Sequence, residues 1–117
     1  MPEYFFFWLG LSLVLVHEMD AVRCKEWRIL PGLSLLKDET GKRIFILSHI
    51  PLYFLIFLGL SSPETREGLI TALNIFFIIH FVLHLLFIKH KKNEFIDWIS
   101  WIFIIGIGIC GILDIVL

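Results

Sequence analysis

Long apolar blocks separated by short polar ones dominate the chain. Four apolar runs stand out, at 4–22, 44–60, 69–88 and 95–117. Each is about 17–25 residues, the length a helix needs to cross roughly 30 Å of hydrocarbon. Backbone groups in lipid must bond within their own segment, and continuous runs of this kind suit helices rather than the alternating strands of a barrel. The pattern therefore predicts an all-α, four-helix transmembrane bundle. Residues 1–117 read as one transmembrane domain, because no charged or Pro/Ser-rich linker divides them. The first helix is expected to run on toward Leu30, since nothing breaks it before Pro31-Gly32.

Composition strengthens this picture: 58% of the 117 residues are hydrophobic and the mean hydropathy is +0.88, against about 45–50% apolar residues in soluble domains. The opening "MPEYFFFW" has no Lys or Arg, and no small-residue cleavage site follows, so the first apolar segment is expected to stay in the mature protein. A net charge of -1 gives no global basic field and argues against nucleic acid.

The placement of charge says more than its sum. Nine of the ten Lys and Arg fall in 23–43 or directly after Ile88, and only Arg66 lies between the second and third spans. The positive-inside rule assigns the basic side to the cytoplasm and both termini to the extracytoplasmic side. Tyr4 and Trp8 at one end, and Trp27, Trp98 and Trp101 at the other, fit interfacial aromatic belts. Cys24 and Cys110 sit at opposite ends of their spans, too far apart to pair. Gly106, Gly108 and Gly111 make a small-residue surface on the fourth span that suits close helix packing and offers a contact for a homodimer.

Candidate chemistry comes from polar groups inside the apolar runs. At 1.5 Å per residue, His17 lies about 9 Å inside Arg23, His49 about 9 Å inside Arg43, and His80 and His84 about 13 and 7 Å inside Lys89. Three helices thus deliver imidazoles to one depth. His80 and His84 share a face at i,i+4, as His17 and Asp20 do at i,i+3. Polar groups at membrane depth are costly and by default mark ion paths, proton relays or ligand sites. A shared site of His17, Asp20, His49, His80 and His84 is therefore expected to bind a metal. Imidazole with carboxylate suits zinc or non-haem iron.

In an enzyme built on that site, Asp20 or Glu18 would serve as general base, and the site would act as a metal-dependent membrane hydrolase, or with iron an oxidoreductase, on a lipid or other apolar substrate. Glu18 is offset by about 100° from His17, and whether Glu18, Cys24, Glu26 or Asp97 joins the site stays open. His90 reads as a solvated residue, Asp97 as a partner of Lys91 or Lys92, and Asp114 as an interfacial residue. Three other functions stay open: a haem b electron carrier using His49 with His80 or His84, a proton or metal relay, and a structural membrane subunit.

The segments "HEMDAVRCKEWRILPGLS", "DETG" and "HIP" resemble a family of short bacterial integral membrane proteins of uncharacterised function. The resemblance covers roughly the first half of the chain. It implies a compact helical protein of the bacterial inner membrane with functional weight on His17, Asp20, Glu26, Trp27 and His49. The leading His is also similar to that of the bacterial membrane proteins named for an HXXEE motif, although Asp20 and Ala21 stand where that motif has two glutamates.

Overall fold

The computed structural model describes residues 2–117. Four long helices carry the fold: α1 (Phe5–Arg23), α2 (Asp38–Ser61), α3 (Pro63–Leu86) and α4 (Trp98–Val116). Two 3-10 turns, Glu26–Arg28 and Leu33–Leu35, join α1 to α2. Among the described residues there is no strand. All four helices are long and apolar enough to cross a membrane. The molecule measures 43 × 28 × 18 Å, and its long dimension matches the roughly 40–45 Å of a bilayer with its headgroups.

Local chemistry sets the helix ends. Between α2 and α3 the turn is one residue, Ser62, after which Pro63 takes the first position of α3, where its missing N–H is no loss. The last carbonyls of α2 are then met from α3: Thr65 Oγ1 donates to Gly59 O at 2.6 Å and Arg66 Nε to Leu60 O at 2.7 Å. Within α2, the helix continues through Pro51.

The start of the connection differs from the sequence expectation. Helix α1 does not run on to Leu30; it ends at Arg23, and Lys25 takes the left-handed conformation (φ 55°). One residue in that region stops a helix, and the chain turns back on itself into Glu26–Arg28. The turn is held from the start of α2. Asp38 accepts from Trp27 Nε1 at 2.9 Å and from Arg28 Nε and Nη2 at 2.8 and 2.9 Å. Gly41 gives Trp27 its seat, since a Cβ there would stand 3.2 Å from Trp27 Cδ1 and 3.1 Å from Leu33 O. The "EWR" and "DETG" segments are thus two halves of one contact.

Helices α1, α3 and α4 pack closely, whereas α2 leans on α3 and on the 26–35 connection. Gly108 and Gly111 of α4 let α3 approach: a Cβ on Gly111 would lie 2.7 Å from Asn74 O, and one on Gly108 would lie 2.9 Å from Phe81. Gly106 faces Leu13 of α1. The close approach that these glycines permit is taken up within the chain by α3 and α1. Two apolar clusters fill the bundle, one toward the basic end (Ala21, Trp27, Phe45, Phe95, Ile104) and one toward the other (Phe7, Leu11, Ile70, Phe77, Ile107). Along α1, His17 lies between the two.

Candidate metal centre

Helix α1 sends its neighbouring polar residues to three different helices. His17 turns to α3, where its Nε2 lies 3.0 Å from His80 Nε2, and His84 Nε2 lies 3.2 Å from His80 Nε2. Glu26 completes the group with Oε1 3.4 Å from His84 Nε2. One ligand atom from each of His17, Glu26, His80 and His84 falls within 4.8 Å of all the others, and this group can hold a metal ion. The rings pack edge to face, with centroids 4.5–5.1 Å apart, and Phe95 covers His17 and His84. His17 is fully buried and His84 nearly so, at 5% exposed.

Hydrogen bonding alone accounts poorly for this geometry. An imidazole nitrogen has one in-plane site, used either to donate or to accept. His80 Nε2 therefore cannot donate to one neighbour while accepting from the other. The Nδ1 atoms of His17 and His80 are buried and meet no partner. A cation at the centre would receive the three Nε2 lone pairs. Zinc bound at about 2.0–2.1 Å to tetrahedral nitrogens has ligand-to-ligand edges of about 3.3–3.4 Å; successive members of the group lie 3.0, 3.2 and 3.4 Å apart, and all four ligand atoms lie within 4.8 Å of one another.

Two residues expected in the shared site lie elsewhere. Asp20 faces α4: its Oδ2 accepts from Ser100 Oγ at 2.5 Å, and its Oδ1 meets Arg23 at 2.7–2.8 Å. With its lone pairs taken by Arg23 and Ser100, Asp20 belongs to a polar staple between α1 and α4. His49 matches the depth of the cluster but sits on the seam between α2 and α1. Its Nδ1 donates to Phe45 O at 2.6 Å, and its Nε2 meets Glu18 Oε2. Because Nδ1 carries a proton, the Glu18–His49 contact holds a second one between the two groups.

Glu26 is the member that spacing along a helix misses. Nine residues beyond His17 on a continuous helix, it would point about 180° away; the left-handed Lys25 folds it back instead. The remaining candidates are also placed. Cys24 is buried against Asp20 and Ser100, and both cysteines are free. Asp97 pairs with Arg23 at 3.2 Å, not with Lys91 or Lys92, because α4 begins beside the end of α1. His90 accepts from Lys92 N–H. Asp114 takes Phe7 N–H at 3.2 Å and Asn74 Nδ2 at 2.7 Å, closing the other end of the bundle.

A cavity of about 440 Å³ opens beside the cluster between α2, α3 and the 29–31 segment. Its polar wall consists of Glu18, Glu26, His80 and His84, and the rest is apolar. His17 does not reach it, so the cluster meets the cavity through Glu26 and α3.

A membrane-length helical bundle with a buried His and Glu group is the class of protein that these features define. The chain belongs to DUF6713, a family of unknown function, whose model matches residues 3–117. No curated protein and no solved structure matches it.

Proposed function

We propose that this is an integral membrane metalloprotein in which His17, His80, His84 and Glu26 hold one divalent ion, zinc or iron, for metal-dependent chemistry on an apolar substrate. The convergence of three imidazoles and one carboxylate, with a ligand atom of each within 4.8 Å of all the others, carries the reading. The ion would supply Lewis acidity, or with iron redox chemistry. The chain's residues do the rest: the apolar wall excludes water, Glu26 faces the cavity as the ligand nearest a bound molecule, and Glu18, held by His49, is the second carboxylate on that wall. Asp20 has no part in this chemistry.

We place the basic end in the cytoplasm of a bacterial inner membrane and both termini outside, on the asymmetry of Lys and Arg. The haem alternative loses support from geometry. A macrocycle must lie between its axial nitrogens, whereas His49 is paired with Glu18 and His80 Nε2 is in contact with the Nε2 atoms of both His17 and His84.

Elemental analysis and a visible spectrum of protein purified in detergent without chelator test the proposal, alongside a His80→Ala, His84→Ala double variant. About one equivalent of zinc or iron in the wild type, lost in the variant, is expected. Wild-type protein that takes up no metal even when zinc is supplied would overturn it, and a Soret band would restore haem.

A further inference from the structure

The cavity beside the cluster is elongated along α3. Its wall includes Phe76 and Phe87, eleven residues and so about 16 Å apart along a helix axis. His84 lies about 4.5 Å from the Phe87 end, leaving about 12 Å of slot toward Phe76. Leu52 of α2 lines the slot, as do Leu83 and Phe76 of α3. Of the polar wall groups, Glu26 and His84 stand near the basic end, His80 lies one turn further along the slot, about 6 Å from Phe76, and Glu18 of α1 also lines it. Arg28, Lys91 and Lys92 line a separate, more polar hollow there.

The seam on the α2 side is thinly closed. Between α1 and α2 the hydrogen bond among the described residues is His49 to Glu18. Beyond it a second hollow of about 170 Å³ lies against Met19, Ile46 and Tyr53. Leu52 is 49% and Leu83 44% exposed on the outer surface. A molecule dissolved in the surrounding hydrocarbon can thus reach the slot sideways.

We infer that the slot binds the hydrocarbon tail of a single-chain or lipid amphiphile, lying along α3 with its methyl end at Leu52 and Phe76 and its first polar carbon at Glu26 and His84. The volume falls in the range of about 300–1,000 Å³ usual for small-molecule sites. Beyond His80 the wall is apolar, with Leu52 and Phe76 at the end away from the basic residues, and this division matches that of such a molecule into tail and head. Its orientation follows from the membrane: the polar end of the slot is the end nearer water. The placement of the head rests on the metal-centre reading; the placement of the tail rests on the slot alone.

The test is photolabelling of the full chain in phosphatidylcholine vesicles with a 10-carbon fatty acid, whose extended length of about 11 Å matches the slot, carrying a diazirine near its methyl end. Labelled residues are mapped by mass spectrometry, and metal content is measured on the same samples. Label concentrated at Leu52 and Phe76, competed by excess decanoate and reduced at least fivefold by Leu52→Trp, supports the slot. Leu83→Trp serves if the first variant fails to fold, and the wild-type map decides even without either. Label spread evenly over outward residues of α2 and α4, unaffected by decanoate, overturns it. Metal bound with label spread evenly would sink the slot alone; label at the slot without metal would sink the metal centre alone.

Discussion

At the scale of single residues, adjacent polar side chains on α1 have separate tasks, which substitution can tell apart. Glu26→Ala removes a carboxylate from the metal group and is expected to weaken zinc binding at least tenfold, read by competition with a chromophoric chelator. Asp20→Ala leaves Ser100 Oγ and Cys24 Sγ without the acceptor they share. Losing a buried partner costs about 1–3 kcal/mol, so this variant is expected to lower the melting temperature while its zinc affinity stays within about twofold. Equal loss of zinc binding in both variants would return Asp20 to the centre. Helical spacing made His80 and His84 legible as a pair in the sequence. The partners of Asp20 and Glu18 were not legible, because i,i+3 and i,i+1 relations locate a residue on its own helix and say nothing about which neighbour occupies that side.

At the scale of elements, the 24–37 connection decides whether the centre is complete. Glu26 reaches His84 only because Lys25 reverses the chain and because Trp27 and Arg28 are tied to Asp38 at the head of α2. Asp38→Ala removes all three of those hydrogen bonds at once. We expect helicity by circular dichroism to be unchanged and zinc affinity to fall about tenfold, in the range typical of residues that position ligands. An unchanged affinity would mean that the turn holds its shape without this tie. The exposed ion pair of Arg28 with Asp38 adds little by itself; its effect comes from orienting a turn that also buries Trp27, which is 3% exposed. Continuous periodicity suggested a longer α1, and a single left-handed residue, Lys25, overrode it.

At the scale of the whole molecule, metal binding and stability are coupled. The buried His17 and His84 and the half-buried His80 sit between two apolar clusters with their Nε2 atoms turned on one another. Ligand linkage at a hundredfold excess over Kd adds about 2.7 kcal/mol of stability. Zinc is therefore expected to raise the melting temperature of chelator-treated protein in detergent by several degrees, and to leave that of the His80→Ala, His84→Ala variant unmoved. Equal shifts in both would point to metal binding elsewhere, for instance at the half-buried His90.

The amino-acid sequence by itself determined that the chain forms four helices of membrane length, that cationic residues gather at one end, and that four histidines lie at one depth. Those properties follow from composition and from rise per residue, which are local. Tertiary structure alone decided which of these groups meet. Rotation of each helix about its axis sends His17 to α3, Glu18 to α2 and Asp20 to α4, and the reversal at Lys25 brings in Glu26. Packing also directed the α4 glycines toward α3 and α1 and left α2 standing apart beside an apolar slot. Depth is a sum of residue rises, whereas contact depends on how the helices rotate and where the connections fold back, and both are set by the packing of the whole bundle.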